Sequence, residues 1–111
     1  MLFLASFSIN SSDIKPPGLK PYTKDLIARA VNGTVEERVH AIDECGVSRF
    51  TVCYYTLIDL LKDPSPVIRE KSALSLGLLR ITSAVPHIEQ ALKDEKEESV
   101  MVNLIRALAF L

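Results

Sequence analysis

Leu60-Leu61-Lys62-Asp63-Pro64-Ser65-Pro66-Val67-Ile68-Arg69-Glu70-Lys71-Ser72-Ala73-Leu74-Ser75-Leu76-Gly77 is the stretch that decides the fold of this 111-residue chain. Proline has no backbone N–H and clashes with the preceding helical turn, so Asp63-Pro64-Ser65-Pro66 reads as a turn between two helices. Beyond it Ile68, Ala73, Leu76 and Leu79 fall mostly on one helical face, while Arg69, Glu70 and Lys71 fall elsewhere. The small residues Ser72, Ala73 and Ser75 let neighbouring helices approach closely.

Working outward, the stretch proves to be one copy of a repeat. Leu26–Asn32, Leu57–Asp63 and Ile88–Asp94 recur at a spacing of 31, as do Arg38 and Arg69, and Gly46 and Gly77. The third copy slips by one residue, so that Ile68 matches Val100 and Gly77 matches Ala109. Two helices per unit at that period is the signature of a helical solenoid, in which each hairpin buries its apolar face on the next. The expected architecture is therefore all-α: an α-solenoid of about two and a half repeats with an extended N-terminal arm.

The helix boundaries follow from stop and start signals. Thr23 caps a helix to about Val31, and Gly33 ends it. Thr34 caps the next, Val35 to Cys45, with Glu37 where a capping box wants it, and Gly46 is expected to close that helix in the left-handed conformation. Ser48 opens a third helix through Lys62. A fourth spans Ser65 to Leu79. A fifth runs from Ser83 to Lys93 with Pro86 in its first turn. Asp94 to Glu98 is a charged turn, and a sixth helix follows from Glu98. The repeat units are thus 34–63, 65–94 and an incomplete 97–111, preceded by a helix over 23–32, within a domain of 22–111. Residues 1–21 carry Pro16, Pro17, Gly18 and Pro21 and cannot be helical where those fall. They form either a flexible tail or an arm whose Leu2, Phe3, Leu4 and Phe7 dock on the end of the stack.

Composition narrows the function classes. Hydrophobic residues make up 48% of the chain but aromatics only 6%, which calls for an aliphatic core of packed helices. A net charge of −1 gives no field to draw the chain onto nucleic acid or an anionic membrane. No run reaches the ~20 apolar residues of a membrane span, and the apolar start has no basic region before it to make a secretion signal. Cys45 and Cys53 read as buried free thiols of a soluble, cytoplasmic protein; a disulfide would have to tie two adjacent helices near their shared turn.

The stretch from Leu60 to Gly77, and Ala84-Val85-Pro86-His87-Ile88-Glu89-Gln90-Ala91-Leu92-Lys93-Asp94 after it, resemble the HEAT-like repeat found in phycobilin lyases and scaffold proteins. That pattern has a Leu-Lys-Asp-Pro turn, then Val-Arg, then Ala-Leu-Gly, then a helix opening Ala-Val-Pro. The resemblance covers about residues 24 to 111. It departs from the pattern at Asn32-Gly33, where Asp-Pro belongs, and at Met101, where Arg belongs. In the family the turn Asp accepts hydrogen bonds from a neighbouring helix start or Arg. Asp63 and Arg69 can do this, Met101 cannot, and the last helix is expected to be held less firmly.

No catalytic, cofactor or metal site stands out. HEAT-like hydroxylases hold iron with His-Glu pairs, but here His40 precedes Ala41 and His87 precedes Ile88. HEAT-fold DNA glycosylases need a basic, aromatic concave face, which the charge balance opposes. The two cysteines lack a basic cluster to activate them. The four glycines are too scattered for a phosphate loop.

The resemblance implies that the second helix of each pair lines the concave side. Superposing the copies there gives a ladder: Asp25, Thr56 and His87; Ala28, Asp59 and Gln90; Val31, Lys62 and Lys93, with Tyr55 and Pro86 beside it. Tyr54, matching Val85, belongs to the core. The expectation is a non-enzymatic scaffold or adaptor that binds another protein through Tyr55, Thr56, Asp59, Lys62, His87, Gln90 and Lys93, without cofactor, nucleic acid or membrane. The alternative is an accessory or lyase-type subunit presenting a substrate or cofactor in the groove. The pattern breaks off at Ala107-Leu108-Ala109-Phe110-Leu111, which reads as part of a longer array or as an uncapped end available for self-association.

Overall fold

A computed structural model describes residues 20–111. The arm before Lys20, with its apolar Leu2, Phe3, Leu4 and Phe7, lies outside the described residues. Six α-helices run in the order α1 (Pro21–Asn32), α2 (Val35–Val47), α3 (Tyr54–Leu60), α4 (Pro66–Leu79), α5 (Val85–Asp94) and α6 (Glu98–Phe110). Short 3-10 turns, Thr51–Cys53 and Thr82–Ala84, lead into α3 and α5.

The helices form two layers. In one, α2, α4 and α6 pack side by side; in the other, α1, α3 and α5 lie over them, α1 on α2, α3 on α4 and α5 on α6. Leu26, Ile42, Leu57, Ile68, Leu76, Ile88 and Leu104 are fully buried between the layers, the aliphatic core that the composition requires. Close packing within the α2–α4–α6 layer depends on small residues. A Cβ on Gly46 would lie 2.7 Å from Ser75 Cα, and one on Gly77 would lie 3.0 Å from Ala107 Cα. The Ser75 hydroxyl donates to Ile42 O at 2.7 Å, tying α4 to α2.

Local signals account for most helix ends. The capping box at Thr34 forms as expected: Glu37 N donates to the Thr34 hydroxyl and Thr34 N to the Glu37 carboxylate. Four expectations need correction. Thr23 does not cap α1; the helix begins at Pro21, whose missing N–H is harmless in the first turn, and the Thr23 hydroxyl donates to Lys20 O. The arm therefore ends one residue earlier than its composition suggests. Gly46 does not end α2 in a left-handed turn. It is helical and buried, and the left-handed positions are Arg49 (φ 53°) and Arg80 (φ 56°), where the chain turns after α2 and α4. The third helix starts not at Ser48 but after the 3-10 turn, at Tyr54.

That 3-10 turn also corrects the reading of the cysteines. It carries Cys53 back beside α2, 6.0 Å from Cys45 between Cα atoms, and the two are joined in a disulfide. The pairing removes the free-thiol premise on which a reducing compartment was expected. Closing so short a loop stabilises the fold by about 2–3 kcal/mol through the entropy it takes from the unfolded chain. It also fixes the start of α3, and hence one wall of the cleft described next.

Candidate functional site

Between α3 and α5 lies a cleft of about 800 Å³, closed at one end by the Asp63–Pro64 turn and the Glu95–Glu97 turn. The two helices are held apart because each rests on its own partner in the other layer, α3 on α4 and α5 on α6. Ile58, Leu61, Pro64, Pro86 and Ala91 give the cleft an apolar lining, and Asp59, Lys62, His87, Gln90, Asp94 and Lys96 give it a polar rim.

The closed end is built by a ladder of ion pairs that runs along the starts of the first-layer helices. Arg38 of α2 donates to Asp63 at 2.6 Å and also to Ala30 O at 2.9 Å. Arg69 of α4 grips both carboxylate oxygens of Glu95, at 2.8 and 3.0 Å, while its Nη1 donates to Asp63 O and Pro64 O. Each acid also accepts from the backbone two residues on: Asp63 from Ser65 N, Glu95 from Glu97 N. The two pairs are therefore the same device in successive repeats, linked over 25 and 26 residues. The extra residue is the slip that the sequence shows in its third copy. Asp94, the strict repeat equivalent of Asp63, is bypassed in favour of Glu95 and accepts instead from Gln90.

Both acids are tuned by these contacts. Burial pushes the Asp63 carboxyl up, but hydrogen bonds from Arg38 and Ser65 N, with the charges of Arg38 and Arg69, outweigh it and hold the group below the usual carboxylate range. The hydrogen bond from Arg69 does the same for Glu95 against the opposing effect of burial, helped by Glu97 N and Lys96 N, and Arg69 is itself raised, chiefly by that bond. The turn from Lys93 to Glu98 is thus not simply solvated, as its charge suggests. The Glu95 side chain is only 5% exposed and anchors the turn.

Four of the seven residues expected at the site line this cleft: Asp59, Lys62, His87 and Gln90. Pro86 joins them. Tyr55 and Thr56 lie outside it. Tyr55 is 79% exposed with its ring edge-on to that of Tyr54 at 5.1 Å, and Thr56 is half-buried. Lys93 points to a different depression, shared with Glu89, Leu92 and Leu108 between α5 and α6. Tyr54 is buried, as expected, with its hydroxyl 2.8 Å from that of Ser83. The turn residues Asp94 to Glu97 went unrecognised as part of the cleft; the signal for them was the one-residue slip, which displaces the turn acid to Glu95.

Asp59, Lys62 and His87 take part in none of the ion pairs among the described residues, so their polar groups are available to a ligand. Among the described residues no group of three or more His, Cys, Asp or Glu side chains is placed to hold a metal ion. No helix among them is long and apolar enough to cross a membrane.

Comparison with known proteins is consistent with this construction. The family model described as HEAT repeats matches residues 23–111, which is all six helices but the first two residues of α1. No curated protein and no solved structure matches the chain.

Proposed function

This chain belongs to the HEAT repeat family, whose members are commonly protein-interaction scaffolds, and from that premise we propose that it is a non-enzymatic adaptor binding another protein in the cleft between α3 and α5. The observation that carries the reading is the cleft itself: an apolar floor bordered by uncommitted charges of both signs on two helices whose backs are anchored in the core. Such a rim suits a peptide segment that inserts an apolar side chain between α3 and α5 and pairs flanking charges with Asp59 and Lys62. A pre-formed groove on rigid helices also spares the partner the entropy of ordering the site.

A photo-crosslinking residue in place of Gln90 identifies the partner, with Glu36, an exposed α2 residue that does not line the cleft, as the control position. The purified partner is then titrated against the chain and against the Asp59→Lys, Lys62→Glu double variant. Both residues are exposed, so the melting temperature is expected to stay within about 2 °C of the parent. Binding is expected to weaken at least about tenfold, the effect of losing ~1.4 kcal/mol. Equal affinity of the double variant, or crosslinks no richer at Gln90 than at Glu36, rejects the cleft as the site.

A further inference from the structure

We propose that the edge of the stack at which α2 and α4 end is a docking surface for an acidic, extended segment of a partner protein, gripped by Arg49 and Arg80. This surface is separate from the closed end of the cleft, which lies at the opposite edge among the turn acids.

The two arginines occupy one position in successive repeats. Each closes the helix before it in the same way: Arg49 N donates to Gly46 O at 3.1 Å and Arg80 N to Gly77 O at 3.2 Å. Both are left-handed, at φ 53° and 56°, a conformation in which a Cβ crowds the following carbonyl. Glycine fits such a helix end without that penalty. The chain instead sets an exposed arginine there twice, and among the described residues neither guanidinium has an ion-pair partner. An uncommitted charge held twice in a disfavoured backbone conformation points to a ligand.

Charge is segregated between the two edges. Acids crowd the one formed by the turns after α1, α3 and α5, with Glu36, Glu37, Asp63, Glu95 and Glu97. At the other edge α2 and α4 end and α3 and α5 begin, and no acid occurs from Cys45 to Ile58 or from Lys71 to Ile88. The start of α1 adds exposed Lys20 and Lys24, brought beside the Arg49 turn by the edge-on packing of Tyr22 on Phe50 at 6.1 Å. The acids nearest this edge are Asp25, already paired with Arg29, and half-buried Glu44 in the last turn of α2. Val47, Val52 and Tyr55 are exposed along it and give it an apolar component.

These features define the partner. Because α2 and α4 pack side by side, Arg49 and Arg80 stand about one interhelical spacing apart, ~8–10 Å. Acidic residues three apart in a polyproline-II segment share one face at a separation of ~9 Å. A guanidinium grips each carboxylate with two parallel hydrogen bonds, and apolar residues between the acids meet Val47 and Val52. Nucleic acid fits this edge less well: its affinity comes from many phosphate contacts, which a net charge of −1 and the acidic opposite edge oppose.

Fluorescence anisotropy of the full chain with a labelled peptide of about four Glu-Pro-Leu repeats tests the assignment. Saturable binding is expected with a Kd below about 200 μM, and none with the Gln-Pro-Leu counterpart. The Arg49→Gly, Arg80→Gly variant is expected to bind at least about tenfold more weakly, yet to melt no lower than the parent, because glycine relieves both left-handed positions. A charge-matched variant away from this edge, Lys71→Gln with Lys93→Gln, is expected to bind as the parent does. No saturation by about 1 mM peptide, equal losses in the two double variants, or tighter capture of a single-stranded DNA of similar charge overturns the proposal. A glycine variant that melts lower gives the arginines a structural role and overturns it as well.

Discussion

Replacing Arg69 by Met is expected to lower stability at pH 7 by about 3 kcal/mol, and most of that loss is expected to disappear at pH 3. The substitution copies what stands at the equivalent position of the next repeat, Met101. Arg69 is 19% exposed and Glu95 5%, so removing the guanidinium strands a carboxylate in a site that water scarcely reaches. The cost belongs at the lower end for a broken buried pair because the arginine side is partly solvated. It also frees Asp63 O and Pro64 O, which Arg69 holds, and so loosens the closed end of the cleft.

The pH dependence follows from the sign of the Glu95 shift. In the parent the folded-state value is lowered, so the stabilisation is fully present above the ordinary glutamate range of about 4.3 and is lost as pH falls through the lowered value. In the variant the lowering by Arg69 is gone and burial is opposed only by the hydrogen bonds from Glu97 N and Lys96 N, so protonating Glu95 costs the variant less than the parent. The gap between parent and variant therefore narrows as pH drops below about 4. Asp63, lowered by Arg38, keeps its own acid dependence in both proteins. Urea unfolding at pH 7, 5 and 3 measures the gap, and a gap that stays constant across that range contradicts the role given to the pair.

Gly46→Leu is expected to cost about 3 kcal/mol or more, and Gly46→Ala to be destabilising as well, by roughly 1–2 kcal/mol. Helix propensity alone predicts the reverse for alanine, a gain of about 1 kcal/mol at a helical glycine. The reversal arises because the first added carbon meets the Ser75 backbone at 2.7 Å and its Cβ at 2.8 Å. Backbone cannot swing aside as the end of a side chain can, so α2 and α4 must separate, straining the bond from Ser75 to Ile42 O. Gly77→Ala is expected to be milder, since its nearest neighbours are at 3.0–3.3 Å and one of them is the Phe110 ring, which can turn. Thermal melts of the three variants give the order; a stabilised Gly46→Ala means that the α2–α4 contact is looser than described.

These glycines show where the sequence was legible and where it was not. Their recurrence at 31 marked a structural role, but Gly46, read as a helix end, was misassigned. The chain in fact leaves α2 and α4 at Arg49 and Arg80, which share the same spacing and both adopt the left-handed conformation. Arginine is not a residue that advertises that conformation, so only the geometry reveals it. The Thr34 box, the prolines and the aliphatic stripes are local signals, and the helices they predict are the helices found. The Cys45–Cys53 pair was missed because a 3-10 turn, rather than a continuing helix, brings Cys53 back, and helical periodicity carries no sign of it.

The candidate site was legible in half for a related reason. Superposing repeats picks residues that face alike on each helix. A cleft between neighbours is walled by one flank of α3 and the opposite flank of α5, so Asp59, Lys62, His87 and Gln90 fall in it while Lys93 falls beside α6. The contribution of the Glu95 turn required the register of the ion pairs, which the one-residue slip shifts away from the strict repeat.

That register is the central claim, and a double-mutant cycle between Arg69→Met and Glu95→Gln tests it most directly. A coupling of more than about 1 kcal/mol is expected for this pair at pH 7, with none above ~0.5 kcal/mol for the same cycle run between Arg69→Met and Asp94→Asn. Coupling to Asp94 in place of Glu95, or to neither, contradicts the stacking of the repeats described above.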